Sequence, residues 1–345
     1  MSRALPAVLL LLACAPAGAQ YEEDDQTRDY ERQDSRYQQR VAEQQEVPPT
    51  PEEAERQFVE QAESLIRDKN YNGTTTERYR VQTDDPRVDP RVVARLLETF
   101  RSYFDDQWSG RLELESYDKQ SRVFLFYSFF KYNQLLGADF RMSPIRPAGH
   151  YGSLFDAITV HTDADGDLAN TLVHEATHQL VDQRFGWRGR IPLWLSEGLA
   201  SYYGYTQLDG SGEFQLARIG GKRLNVLTGA GKSRNAQLRE RLNSVRKAVK
   251  TLDKSEDSLV EYLLSLRAPS DFYGSNPGLN YGASWLLVHC LLHGDDGTYE
   301  PGFVRYLERE IDDRGGSDAL LAELGMTYET LDAALVRHVA QLKVD

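Results

Sequence analysis

His174-Glu175-Ala176-Thr177-His178 is the segment of the sequence best equipped for chemistry. Residues four apart on a helix lie on one face, one turn above the other. The two imidazoles can therefore share one metal ion, and Glu175 between them can reach a water on that metal. A metal that polarises a carbonyl, with a carboxylate that takes a proton from water, is the equipment of hydrolysis. A catalytic zinc usually has three protein ligands and one position left open. Downstream, Glu197 stands in Pro192-Leu193-Trp194-Leu195-Ser196-Glu197-Gly198-Leu199-Ala200-Ser201-Tyr202-Tyr203, among residues of core type. A carboxylate in apolar surroundings needs a partner, and a metal is a good one.

The elements that must position these groups are legible around them. Asp165-Gly166-Asp167 signals a helix start, and Leu168, Leu172, Ala176, Leu180 and Val181 then recur at helical spacing. Gly186 closes that helix and Pro192 suits the first turn of the next, with a turn at 186–190 that folds the second helix back on the first. Before the first helix, Ala157-Ile158-Thr159-Val160-His161-Thr162 is a β-branched run that reads as a strand.

The pair H-E-x-x-H and W-x-x-E-G-x-A resembles the gluzincins, the thermolysin-like and aminopeptidase-like zinc peptidases. The segment 192–203 is similar to bacterial peptidase-MA-like families, among them DUF1570. The resemblance spans about residues 75–345, with its sharp motifs in 174–203. It implies His174, His178 and Glu197 as ligands of a Zn2+ ion, Glu175 as general base, and a peptide or protein as substrate. It also implies a Tyr or His that stabilises the oxyanion. Tyr281 is the candidate, because Asn280-Tyr281-Gly282-Ala283-Ser284-Trp285-Leu286-Leu287-Val288 resembles the Y-x-x-S-x-x-L-V helix of peptidase-MA-like sequences. Tyr202, Tyr203 and Tyr205 are its rivals. The strand Ile158 to Thr162 is implied, again only by resemblance, to line the cleft and pair with an extended substrate. Thermolysin-like enzymes carry an acid one turn after the ligand glutamate, where this sequence has Ser201; Asp182 could orient a ligand histidine instead. The metzincin pattern fails, since Val181 and Arg184 occupy its Gly and His positions.

Other motifs carry less. His289 and His293 are also four apart, with Cys290 between, but Trp285, Leu286, Leu287, Val288, Leu291 and Leu292 surround them, which reads as core histidines on a buried helix. His150, His161 and His338 show no partner in the sequence. Gly229-Ala230-Gly231-Lys232-Ser233 lacks the first glycine of a phosphate-binding loop, because Val226 stands there. The basic run from Lys232 to Lys250 reads as a solvated helix face. A formal net charge of −13 argues against nucleic-acid binding.

Met1 to Ala19 reads as a secretory signal, with Arg3, an apolar core at Leu5 to Ala13, and Ala17-Gly18-Ala19 before the cut. A rival reading makes Leu11-Leu12-Ala13-Cys14 a lipobox with Cys14 as a lipid anchor. Either way the expectation is export to a bacterial periplasm or the exterior, with no transmembrane helix. Cleavage leaves Cys290 alone, so the core must supply stability without a disulfide.

Residues 20–77 read as a linker segment carrying one amphipathic helix, opened by Thr50-Pro51-Glu52-Glu53 and striped by Ala54, Phe58, Ala62 and Leu65. The peptidase domain is expected at 78–345. Its 78–185 lobe alternates strands (79–83, 112–114, 123–127, 157–162) with helices (92–104, 129–136), and its 186–345 lobe is mainly helical. The fold class is α+β, a small mixed sheet with the zinc helix followed by a helical lobe. Two rival functions share these residues. One is a zinc scaffold or binding protein of the envelope that cuts nothing; the other is a zinc amidase acting on cell-wall peptides.

Overall fold

Ser121–Phe126 shows how the first half of the molecule is layered, because its side chains alternate between two cores. Val123 and Leu125 belong to the larger core, Phe124 and Phe126 to a smaller one on the opposite face of the sheet. In this computed structural model the described residues are 50–136, 148–162, 168–186, 191–204, 207–208, 214–215, 243, 246–247, 258–274 and 276–342. The expected signal, Cys14 and the linker up to residue 49 lie outside them, as do Asp165-Gly166-Asp167, Tyr205 and most of the basic run.

Helix α1 (Pro51–Ile66) leads into strands β1 (Asn72–Thr75) and β2 (Tyr79–Thr83) and helix α2 (Pro90–Trp108). Then come β3 (Ser121–Phe126), α3 (Phe129–Leu136), β4 (Gly149–Gly152), β5 (Ala157–His161) and α4 (Leu168–Arg184). The sheet order is β1-β2-β3-β5-β4; β2, β3 and β5 run parallel, and β1 and β4 are antiparallel edges. Helices α2 and α4 cover one face over Tyr79, Val81, Val123, Leu125, Ile158 and Val160. On the other face α1 and α3 bury Ala62, Ile66 and Tyr132 against Phe124 and Phe126, with Phe58 stacked on Phe155 at 4.3 Å.

Pro51–Asp345 forms one compact unit, so the boundary expected at residue 78 does not separate α1 and β1 from the rest. The apolar stripe of α1 is spent on this sheet, and Arg122 ties Glu55 of α1 to β3 at 2.7 Å. The end of the expected linker segment contains β1, a polar and largely exposed edge strand without the alternation that marks a strand in sequence. Conversely, Leu112–Leu114 is not a strand. Leu112 folds back on Trp108 and is buried there, and Glu115 N–H bonds Arg184 C=O at 2.7 Å.

The second half is helical: α5 (Leu193–Gly204), α6 (Leu259–Ser265), α7 (Pro269–Gly274), α8 (Pro277–His293), α9 (Glu300–Ile311), α10 (Ser317–Leu324) and α11 (Tyr328–Gln341). A short antiparallel pair joins Gln207–Leu208 to Phe214–Gln215. Helices α5 and α8 are buried on nearly all sides and are mostly apolar, as core helices are. They cross closely at Gly198, where a Cβ would stand 2.7 Å from Val288 Cγ2 and 2.8 Å from the Ser284 carbonyl. The fold is therefore α+β, a small mixed sheet followed by a helical region. No described helix is long and apolar enough to cross a membrane.

Candidate metal centre

The site is built on α4 and on the helix that folds back against it. Gly186 ends α4 at φ +63°, a left-handed conformation in which glycine is at ease. A side chain there would also collide with Glu115. At the start of α5, the Pro192 carbonyl accepts the first bonds of the helix, from Leu195 and Ser196 N–H. Helix α5 then lies between α4 and α8, which carries Glu197 to His174 and His178.

His174 and His178 stand ring to ring at 4.9 Å, nearly perpendicular. Glu197 Oε2 is 3.3 Å from His174 Nε2 and 3.7 Å from His178 Nε2. One ligand atom from each residue lies within 4.8 Å of the others, so the three could hold a metal ion. The donor set of two imidazoles and one carboxylate suits a divalent transition metal. Glu197 Oε2 is buried and accepts no well-formed hydrogen bond, an orphaned anionic oxygen at the place where a cation would satisfy it. Its other oxygen is satisfied, because Tyr273 O–H donates to Glu197 Oε1 at 2.6 Å.

Electrostatics follow the same lines. Burial alone would raise the Glu197 pKa, but the imidazoles of His178 and His174 outweigh it and hold the carboxyl below the usual range. Burial disfavours the His178 cation, and the Glu197 carboxylate more than offsets this, so His178 is raised. His178 Nδ1 pairs with Ser196 Oγ at 3.0 Å, one residue before Glu197. Asp182 does not orient it; that carboxylate accepts from Tyr151 O–H at 2.9 Å. Ser201, at the position of the expected acid, is buried with its Oγ unpaired.

Glu175 is almost fully buried beside the ligands, under the first residue of the edge strand β4. A Cβ on Gly149 would lie 2.8 Å from Glu175 Cγ and 2.9 Å from its Oε1, so only glycine leaves the carboxylate its place. The Glu175 charge bears on His178, Tyr273 and His150. His150 of β4, silent in the sequence, thus lies within the field of the site; burial first, and then His178, holds it below the usual imidazole range despite Glu175.

Of the tyrosines, Tyr281 packs at the site with its ring 6.5 Å from that of His174 and 6.2 Å from that of Tyr273. Tyr202 and Tyr203 are core residues engaged elsewhere. Tyr203 Oη accepts from Trp108 Nε1 at 2.8 Å, and Tyr202 Oη pairs with His293 Nε2 at 2.8 Å. Tyr273 is the residue that sequence reasoning passed over. It sits on the six-residue α7, too short for a periodic signal. The expectation that β5 pairs with an extended substrate is not met by its place in the sheet. Strand β5 is paired on both sides, by β3 and β4, so among the described residues the edge strand beside Glu175 is β4.

Residues 168–309 match the model of a family described as a protein of unknown function, DUF1570. The match begins at the first residue of α4 and takes in α5, α7 and α8 as well. No curated protein matches the chain.

Proposed function

We propose that the chain is an exported zinc-dependent peptidase of gluzincin type. The observation that carries the reading is the convergence of His174, His178 and the orphaned Oε2 of Glu197, with Glu175 adjacent. When bound, zinc would lower the pKa of a water from 15.7 toward roughly 7 and polarise the scissile carbonyl. His174, His178 and Glu197 hold the ion. Glu175 takes the proton of the attacking water and hands it to the leaving amine. Tyr281, at the rim of the ligand set, is the candidate donor to the developing oxyanion. Strand β4, at the edge of the sheet among the described residues, would offer backbone groups to an extended peptide by strand addition. Export rests on the signal-like Met1 to Ala19, which leaves the route, free or lipid-anchored at Cys14, to be measured.

The test has two steps. Elemental analysis of residues 20–345 should give about one zinc per chain, with binding markedly weakened in Glu197→Ala. Peptide-library cleavage should then be lost in Glu175→Gln, by about 10²- to 10⁴-fold, with zinc retained. Zinc bound without cleavage of any peptide would leave the scaffold reading in place. Undiminished cleavage by Glu175→Gln would remove the general-base assignment.

A further inference from the structure

We infer that Tyr273 is a positioning residue that restricts Glu197 to ligation through one oxygen. The inference rests on the metal-site reading above and goes beyond it. The two oxygens of Glu197 have different partners. Oε2 faces both imidazoles and has no hydrogen bond of its own, whereas Oε1 is held by the Tyr273 hydroxyl at 2.6 Å. A carboxylate can bind a metal through one oxygen or through both. With Oε1 committed to a phenol donor, only Oε2 is free to ligate, and the position that a second oxygen would take stays open for water. A hydrolytic site needs that open position.

The phenol is delivered by a braced element. The neighbouring Phe272 is fully buried and meets the Tyr281 ring edge-on at 5.4 Å. Asn280, also fully buried, donates its amide to the Phe272 carbonyl at 2.7 Å and accepts from Tyr262 O–H at 3.0 Å. Asn280 thereby ties α6, α7 and α8 together one residue before Tyr281. The Asp271 carboxylate closes the start of α7 on Ala268 N–H at 3.2 Å. So short a helix would not hold a side chain in place unaided; these bonds fix Tyr273 relative to α8 and to the ligand set. Outer partners of this kind orient ligands and tune affinity.

The experiment uses the chain with cobalt(II) in place of zinc, because the intensity of its visible absorption falls as coordination number rises. Tyr273→Phe keeps the ring and removes only the hydroxyl. Freed Oε1 should then join the metal, weakening the cobalt band about threefold or more, and zinc affinity should fall about 10-fold. Circular dichroism of the metal-free proteins checks that the variant is folded; an unfolded Tyr273→Phe is replaced by Asn280→Asp, which loosens α7 without touching Glu197. An unchanged cobalt band in the folded variant overturns the inference, whatever the affinity. Complete loss of cobalt overturns it too, since a freed carboxylate still ligates. If the wild-type chain binds neither cobalt nor zinc, the metal-site reading itself fails, a result distinct from either of these.

Discussion

The chain carries two pairs of histidines spaced four apart on helices, and they have opposite fates. On α4, His174 and His178 stand ring to ring at 4.9 Å. On α8, His289 and His293 stand at the same 4.9 Å. Spacing therefore does not distinguish them. The difference lies in what the neighbouring helix brings. Helix α5 offers a carboxylate to the first pair, with its Oε2 aimed between the imidazoles. It offers a phenol to the second pair, where Tyr202 meets His293 Nε2, while His338 of α11 meets His289 Nδ1 at 2.8 Å. A carboxylate leaves an anionic oxygen to be neutralised by a cation. A phenol and an imidazole satisfy the second pair without one. Helix α5 serves both sites from residues 197 and 202, so one helix contributes to a candidate metal centre at one point and to a hydrogen-bond network at another.

The largest effect that would sharpen this contrast is on metal binding. Removing a ligand, as in His178→Ala or Glu197→Ala, should weaken zinc by about 1,000-fold or more, beyond the 10- to 100-fold cost of losing a supporting partner. His289→Ala should leave one zinc per chain and instead lower stability by about 1–3 kcal/mol, through the buried His338 acceptor or donor that it strands. Zinc titration with a competing chelator, alongside denaturant unfolding, separates the two. Loss of zinc in His289→Ala would erase the distinction between the pairs.

The next effect is on pH dependence, in the histidines grouped around the second pair. Burial first, and then the nearby His293, lower the His338 pKa from 6.5 to about 4, against the opposing pull of Asp295. His293 is also lowered, by burial first, with Glu300 opposing and Arg111 assisting. A histidine whose folded pKa is depressed binds fewer protons folded than unfolded. Its contribution is complete above about 6.5, the unfolded value, and is lost as pH falls toward 4. The loss from His338 is on the order of 2–3 kcal/mol across that window. Denaturant unfolding at pH 7.5 and pH 4.5 should show a difference that shrinks in His338→Gln. An unchanged difference in that variant would place the acid sensitivity elsewhere.

Sequence legibility follows the range of the interactions involved. His174, Glu175 and His178 are legible because a helix alone places them on one side of one turn. Glu197 is legible because a charge amid Trp194, Leu195 and Leu199 is costly without a partner. The Ser196 contact to His178, the Tyr273 bond and the nearness of His150 depend on how elements distant in sequence meet, and no local pattern announces that. Strand β4 shows the limit most clearly. Its Gly149-His150-Tyr151-Gly152 has two glycines, which read as a turn, yet it pairs Gly149 to Gly152 against Val160 to Ala157 and forms the edge beside Glu175. Pairing with β5 is a tertiary fact that overrides weak strand propensity.

The glycine at the start of β4 is also where the contrast between the two histidine pairs can be probed most finely. The α8 pair, with His289 buried and His293 half-buried, has no reactive group to accommodate. The α4 pair has Glu175 between its members, and that carboxylate lies where the β4 backbone would otherwise carry a side chain. In Gly149→Ala the new methyl would meet Glu175 Cγ and Thr171 Cγ2, each at 2.8 Å. Separations under 3.0 Å force a shift, and the Glu175 carboxylate is the most easily moved of the groups involved. The ligands His174, His178 and Glu197 do not touch this methyl position among its nearest atoms, so zinc should be retained at wild-type affinity. A displaced general base should lower turnover of the best-cleaved library peptide by about 10-fold, since misplacement of a reacting group by an ångström can cost up to about 100-fold. Wild-type turnover in Gly149→Ala would mean that Glu175 works from a position other than the one it occupies against β4. Loss of zinc would mean that the edge strand supports the ligand helix as well as the base.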